Sequence, residues 1–247
     1  MEYTPKEVEL TEGQAYSKTI NKDVEKVTYK RTFDSERVGK FQAWYVPFDY
    51  TVSATDLEKF DFFKVNMIAN AQEPGENPES ENVYVFLNPI SAGAVLKGNM
   101  PYIYRPKEAV TDYEFTTENA TLLAKNASIR LSTATTKTTY DFYGTYDNVT
   151  ATAGSPFYYI SADGHICYGT EVTVSPYRWI LRTTNKDGVN YARQLTIIED
   201  SSETTGINDI RNKTTEFSGD IYDLQGRRVT QPAKGLYIIN GRKVVMK

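Results

Sequence analysis

The stretch Lys26-Val27-Thr28-Tyr29-Lys30-Arg31-Thr32-Phe33 alternates between apolar and polar side chains over most of its length. Val27, Tyr29 and Phe33 fall on one face of an extended chain, and the threonines and lysines at the even positions fall on the other. A period of two residues, carried by aromatic and β-branched side chains, is typical of a β-strand with one buried face. The stretch therefore predicts a strand that packs against a core on one side.

Similar patterns recur through the first 199 residues and predict a sheet-dominated fold. Residues 81–88 and 175–183 carry the pattern most strongly. Shorter stretches of the same composition are residues 41–46, 62–69, 102–104, 140–146, 157–160, 166–168 and 195–199. The dipeptides that favour turns between them are Pro74-Gly75, Gly98-Asn99, Asp163-Gly164 and Asp187-Gly188. One short helix is predicted, because Thr55-Asp56-Leu57-Glu58 has the spacing of a capping box.

These patterns predict an all-β chain in three parts. Many short strands at this spacing predict a sandwich-like antiparallel β domain over residues 1–199. Residues 200–217 are rich in serine and threonine and predict a linker. Residues 218–247 predict a short β-hairpin or meander tail, because Asn240-Gly241 separates two apolar strands. Charge also separates the tail: residues 206–247 carry 8 Lys/Arg and 4 Asp/Glu (net +4), which leaves 20 and 28 (net −8) for residues 1–205.

The composition excludes several kinds of site and partner. A net charge of −4 over 247 residues is too small to indicate a nucleic-acid partner. One cysteine, Cys167, excludes an internal disulfide and a cysteine-based zinc site, and one histidine, His165, excludes a multi-histidine metal site. No apolar run approaches the roughly 20 residues that span a bilayer, so we expect no transmembrane segment. Residues 1–5 lack the features of a signal peptide, which leaves two alternatives: the protein is cytosolic, or the chain begins after its export signal.

The C-terminal residues carry a specific sequence pattern. Residues 222–229 read Y-D-L-Q-G-R-R-V, and residues 234–245 read K-G-L-Y-I-I-N-G-R-K-V-V. The pattern resembles the C-terminal sorting domain of Bacteroidetes type IX secretion substrates, in which Y-D-x-x-G-R-x-V is followed by G-x-Y-I-x-x-x-G near the chain end. The resemblance implies export to the cell surface and contact between this tail and the secretion machinery. The sorting-tail residues that match are Tyr222, Asp223, Leu224, Gly226, Arg227, Val229, Gly235, Tyr237 and Gly241.

The first 199 residues are similar to a β-rich module found beside such tails in Bacteroidales surface proteins. This similarity implies a location at the cell surface, and it carries no catalytic residues or ligand. The segments that carry it are residues 29–33, 44–48, 100–103, 143–146 and 175–179.

The sequence favours no catalytic or metal-binding arrangement. His165 and Cys167 would share one face of a strand, but no glycine-framed nucleophile turn accompanies them. Residues 73–81 offer oxygen ligands for calcium, but they lack the order of a calcium-binding loop. The acidic pairs close in sequence lie in polar stretches typical of solvated loops; they are Asp34 with Glu36, Asp56 with Glu58, and Asp141 with Asp147. We therefore expect no catalytic residue, no metal site and no cofactor.

Aromatic side chains are the remaining candidates for ligand contact, because rigid amphipathic rings suit both sugar stacking and protein interfaces. The alternative is that these rings form the core face of their strands. The candidate stacking residues are Trp44, Tyr45, Tyr102, Tyr104, Tyr158 and Tyr159.

The sequence thus predicts a non-enzymatic structural or adhesive module of an exported bacterial surface protein, with secretion machinery as one partner and a host or glycan ligand as another. A carbohydrate-binding module that uses exposed aromatic rings is the alternative. A glycoside hydrolase is a remote alternative, which would require two carboxylates to meet in a deep cleft.

Overall fold

Strands dominate the part of the chain that the structure, a computed structural model, describes. The described residues are 6–70, 83–126, 129–134, 138–185, 192–199, 221–222, 235–239 and 242–246. By contacts between Cα atoms the chain divides into two compact units, Met1–Thr204 and Thr205–Lys247. The predicted linker, residues 200–217, lies outside the described residues.

The first unit contains seventeen strands within its described residues. In chain order they are β1 (Glu7–Thr11), β2 (Lys22–Phe33), β3 (Gln42–Trp44), β4 (Tyr50–Thr51), β5 (Phe60–Asn70), β6 (Val83–Pro89), β7 (Val95–Leu96), β8 (Tyr102–Pro106), β9 (Val110–Leu122), β10 (Ile129–Ala134), β11 (Thr138–Thr145), β12 (Val149–Thr150), β13 (Phe157–Ile160), β14 (Ile166–Gly169), β15 (Thr173–Val174), β16 (Arg178–Asn185) and β17 (Gln194–Glu199). A 3-10 turn, Ser35–Arg37, and one α-helix, α1 (Ala54–Lys59), complete the described elements of this unit.

Two sheets face each other across the core of the first unit. One has the strand order β1-β2-β9, and the other has the order β10-β11-β16-β13-β14-β17-β6-β5-β8-β3. The larger sheet folds back on itself, because β16 lies against β3 and β10 lies against β5. Pairing is antiparallel except between β1 and β2 and between β17 and β6, which are parallel. The prediction of an all-β, sandwich-like fold is confirmed.

Aromatic rings fill the space between the two sheets. Phe115 on β9 packs edge-on against Trp44 on β3, with ring centroids 4.9 Å apart. Tyr29 on β2 lies 5.8 Å from Trp44 and 5.1 Å from Tyr177. Edge-to-face pairs of this kind add about 0.5–1.5 kcal/mol each beyond the burial of apolar area. The core face of β2 is therefore packed against the end strand β3 and against the residue that precedes β16 in the larger sheet.

The predicted helical turn is present, but its cap differs from the prediction. Ser53, and not Thr55, is the N-cap of α1, and its hydroxyl accepts a hydrogen bond from the Asp56 N–H at 3.0 Å. The Asp56 side chain is buried, and it accepts hydrogen bonds from the hydroxyls of Tyr50 and Tyr113, each at 2.7 Å. Asp56 thus organises the helix start and is not one half of an acidic pair with Glu58.

The second unit forms a three-stranded sheet of β18 (Ile221–Tyr222), β19 (Gly235–Ile239) and β20 (Arg242–Met246). β19 and β20 pair antiparallel with Ile239 opposite Arg242, so two residues separate the paired strands. Among the described residues no helix is long and apolar enough to cross a membrane.

Candidate functional site

A cleft of about 220 Å³ opens where five separate segments of the first unit meet. Its lining combines charged groups, hydroxyl groups and one tyrosine ring. The lining residues that carry these groups are Glu12, Arg37, Gln42, Tyr159, Ser161, Thr173, Ser175 and Arg178. Behind Gln42 lies a further arginine, Arg31, whose side chain has no exposed surface.

Glu12 reaches this cleft from a tight turn that follows β1. The turn is closed by the N–H of Gln14, which donates to the carbonyl of Thr11 at 3.1 Å. Gly13 adopts a φ of +83°, in the left-handed region that favours glycine. The turn directs the Glu12 carboxylate toward the guanidinium groups of Arg31 and Arg178.

Arg31 lies on the core face of β2 and holds several elements together. Its Nη1 donates to the hydroxyl of Tyr104, and its Nη2 donates to Oε1 of Gln42 at 2.9 Å. Nε lies 3.1 Å from Oε2 of Glu12, an ion-pair distance, but the N–H does not point at that oxygen. The guanidinium also lies over the ring of Phe33, 5.0 Å from its centroid.

Arg178 follows a residue with a strained backbone. Tyr177 adopts a φ of +62°, which is rare for a bulky residue and costs about 1–3 kcal/mol. Its N–H donates to the carbonyl of Thr145 at 2.7 Å, and its ring is buried. This turn places the Arg178 guanidinium beside the Glu12 carboxylate and within 3.2 Å of the Tyr29 hydroxyl. Strain of this kind clusters at functional sites, so its position at the cleft supports a functional role.

Arg37 and Gln42 also line the cleft. Asp34 caps the 3-10 turn by accepting from the Arg37 N–H at 3.1 Å, and the turn positions the Arg37 side chain. Arg37 Nη1 donates to Oε1 of Gln42 at 3.1 Å. Gln42 is 3 % exposed, and its Nε2 has no hydrogen-bond acceptor among the described residues.

The cleft has an excess of positive charge. The cluster contains three guanidinium groups: Arg31 and Arg178 lie beside the carboxylate of Glu12, and Arg37 is hydrogen-bonded to Gln42. Asp34 is more distant, with its Oδ2 at 4.0 Å from Arg37 Nε. Even with Asp34 included, the charges amount to +3 and −2.

The charges of the cleft shift the pKa values of Glu12 and Arg178. Burial opposes the ionisation of Glu12, but Arg178, Arg31 and Arg37 outweigh it and lower the pKa of Glu12 below its ordinary value of 4.5. Burial likewise opposes the charge of Arg178, but Tyr29 and Glu12 outweigh it and raise the pKa of Arg178. Both shifts favour the charged forms of Glu12 and Arg178 at neutral pH.

Five of the six predicted stacking residues lie in the core and present no ring face to a ligand. They lie on the core faces of their strands or directly beside them. The Tyr45 hydroxyl donates to the carbonyl of Asn126, and the Tyr158 hydroxyl donates to the carbonyl of Ala192. For these five the stacking prediction is corrected. They are at most 8 % exposed: Trp44, Tyr45, Tyr102, Tyr104 and Tyr158. Tyr159 is half-buried and lines the cleft.

The predicted sorting-tail residues are described only in part. Tyr222 lies on β18, and Gly235 and Tyr237 lie on β19. The remaining tail residues lie outside the described part of the chain: Asp223, Leu224, Gly226, Arg227, Val229 and Gly241.

The residues considered for catalysis do not come together. His165 is exposed and precedes β14, and its ring lies 3.3 Å from the Gln194 amide. Within the described ranges no three His, Cys, Asp or Glu side chains are placed to hold a metal ion. The acidic run at residues 73–81 lies outside those ranges.

The arginine cluster was missed because its members come from positions 12, 31, 37, 42 and 178, which no local motif links. One signal was present in the sequence. Arg31 is in phase with Val27, Tyr29 and Phe33, so a charged residue stands on the face that alternation predicts to be buried.

Comparison with known proteins adds no relative: no family model, no curated protein and no solved structure matches this chain.

Proposed function

We propose that this chain is a non-enzymatic adhesive module of an exported bacterial surface protein, and that its C-terminal unit acts as the sorting tail. The first unit would hold a ligand at the cell surface, and the second would bring the protein there. The partners of this proposal are the secretion machinery and a host or glycan ligand.

The observation that carries the export half is the pairing of β19 with β20. Ile239 stands opposite Arg242, which leaves Asn240 and Gly241 between the strands. A two-residue connection is the length at which an Asn-Gly sequence forms a type I′ turn. The sorting-domain pattern has its last glycine at this point, so sequence pattern and strand register support the same interpretation.

The adhesive half is supported by the polar cleft of the first unit. Ligand sites combine a concave surface with a few polar groups that fix orientation. The cleft is held by a core of packed rings, and it contains a buried amide donor, that of Gln42, without an acceptor among the described residues. Carbohydrate binding is the form of adhesion that the hydroxyl groups and Tyr159 favour.

Export is tested in a type IX-competent host with a chain that lacks residues 206–247. We expect the shortened protein to stay folded and to be absent from the cell surface. The variant Gly241→Val should also reduce surface delivery, because a type I′ turn needs a positive φ at both central residues. The matched control is Gly154→Val, at a turn glycine where a Cβ atom meets nothing within 4 Å. Undiminished surface delivery of the shortened chain would contradict the proposal.

A further inference from the structure

The geometry points to a specific ligand chemistry for the cleft: we infer that Arg37 and Gln42 bind the carboxylate of an acidic sugar, a uronic acid. The inference deepens the proposed adhesive function and rests on it for its biological meaning. The physical argument uses the first unit alone.

The orientation of the Gln42 amide is fixed by its neighbours. Its Oε1 accepts hydrogen bonds from Nη2 of Arg31 and from Nη1 of Arg37. A rotation of the amide by 180° would direct its N–H groups at two cations, which is unfavourable. Nε2 is therefore the free end of the side chain, and it is a donor that requires an acceptor.

Arg37 supplies a second donor at the same place. Its Nη1 is bonded to Gln42, while its Nη2 has no hydrogen-bond partner within the described part of the chain. The hydrogen bond between Arg37 and Gln42 keeps the two side chains together, so Nη2 of one and Nε2 of the other can each donate to one oxygen of the same carboxylate. A ligand carboxylate would accept a hydrogen bond from the buried Gln42 amide. Without an acceptor, the burial of this amide costs about the free energy of desolvating one polar group.

The charge of the cleft favours a monoanion over a dianion. With Asp34 included the cluster has a net charge of +1, so one carboxylate brings it to zero. A phosphate dianion would leave a net negative charge beside the Glu12 carboxylate. The chemistry selected is therefore a single negative group with two oxygens in one plane.

The rest of the cleft suits the polyhydroxylated body of a sugar. Ser161, Thr173 and Ser175 line its wall, and Tyr159 contributes a half-buried ring. The Thr173 hydroxyl pairs with that of Thr150 at 2.9 Å, and the Ser161 hydroxyl oxygen accepts from the His165 N–H at 3.3 Å. Hydroxyl groups exchange hydrogen bonds with sugar hydroxyls, and a ring face packs against the apolar face of a pyranose. A volume of about 220 Å³ has room for one monosaccharide unit.

The inference is tested by titrating the purified full chain with D-galacturonate in an isothermal calorimeter. D-galactose, inorganic sulfate and inorganic phosphate are titrated in parallel. We expect saturable binding of galacturonate, with a dissociation constant on the order of 1 mM for a ligand of this size. We expect no saturation by galactose or phosphate in the same range.

The variant Arg37→Met should weaken galacturonate binding at least tenfold, because it removes a charge-assisted contact. The matched control is Arg105→Met, at another half-buried arginine that does not line the cleft, and it should leave binding within twofold of the original chain. Urea unfolding of each variant verifies that it is folded.

Three outcomes would overturn the inference: no saturable binding of galacturonate, stronger binding of sulfate or phosphate, or equal loss in Arg37→Met and Arg105→Met. The experiment needs no export. Its failure is therefore distinguishable from failure of the sorting tail, which the surface-delivery experiment measures on its own.

Discussion

Two arginine clusters of this protein can be compared directly, and they differ in how their charge is balanced. At the end of β8, Arg105 lies between Asp61 and Glu199, at 2.8 and 2.5 Å, and Lys107 adds a contact of 3.0 Å to Asp61. Two cations therefore meet two carboxylates. The Arg105 guanidinium also lies over the rings of Phe41 and Phe63.

The cleft cluster is more buried and less balanced. Two of its three arginines are more buried than Arg105: the side chains are 0 % exposed at Arg31 and 12 % at Arg178, compared with 24 % at Arg105, while Arg37, at the cleft surface, is 37 % exposed. Desolvated charges need close partners more than exposed ones do. The charges of the Arg105 cluster balance without a ligand. The charges of the cleft cluster balance when an additional anion binds. This difference separates a stabilising charge network from a binding site.

The largest effect is expected from removing the carboxylate at each cluster. Glu12→Gln leaves the buried guanidiniums of Arg31 and Arg178 without an anion, and we expect it to lower the free energy of unfolding by about 3 kcal/mol. This value is at the low end for buried pairs, because one third of the Glu12 side chain is exposed. The matched variant Glu199→Gln should cost less than about 1 kcal/mol, because Asp61 remains beside Arg105. Urea unfolding measures both, and equal losses would remove the contrast between the clusters.

Removing an arginine from each cluster is expected to have a smaller effect on stability. In this case the larger loss is expected at the Arg105 cluster and not at the cleft. Arg105→Met separates Asp61 and Glu199 from their shared cation and loses the contacts with two rings, so we expect a loss of about 1 kcal/mol. Arg37→Met removes charge from a cluster that has an excess of it, so we expect a change within about 0.5 kcal/mol. Urea unfolding measures the change in the free energy of unfolding for both variants. A greater loss in Arg37→Met than in Arg105→Met would mean that the positive charge of the cleft is already balanced.

The smallest effect is a difference in pH dependence. Arginine neighbours lower the pKa of Glu12 and, with Lys107, the pKa of Asp61, against the effect of burial. A carboxylate with a lowered pKa stabilises the fold above its ordinary pKa and loses this contribution as the pH falls. The stability difference between the original chain and Glu12→Gln should therefore shrink below pH 4.5, and the difference for Asp61→Asn below pH 3.8. Differences that stay constant down to about pH 2 would show that neither carboxylate is stabilised by its arginines.

Sequence reasoning predicted the fold class well because alternation is a local signal. β13, at Phe157–Ile160, has the predicted bounds, and β2 is found where its alternating stretch predicts a strand. The long strand β9 was missed. Its buried residues are few, with Phe115, Ala120 and Leu122 among mostly exposed polar ones, so a period of two is hard to see.

The cleft could not be predicted in the same way, because it depends on contacts distant in sequence. Trp44 and Tyr104 have the composition of stacking residues, but they are buried because β2 and β9 pair into a second sheet that packs against their strands, and this pairing joins residues up to about 100 positions apart. Arg31 was the one accessible signal, since a charged residue on an apolar face needs a partner. The identity of that partner, Glu12 after β1, follows only from the parallel pairing of β1 with β2.

The most direct test of the central claim is the stability of Gln42→Glu, measured by urea unfolding at pH 7 beside the control Gln194→Glu, at an exposed position of β17. The substitution replaces the Gln42 amide, which accepts from Arg31 and Arg37, by a carboxylate, so it adds one negative charge to the cluster and removes the Nε2 donor inferred to bind the ligand. If the cleft lacks an anion, the variant should be more stable than the original chain by about 1–2 kcal/mol and should no longer bind galacturonate, while the control should change by less than about 0.5 kcal/mol. A variant that is less stable than the original chain, or equally stable, would contradict the claim that the cleft carries uncompensated positive charge.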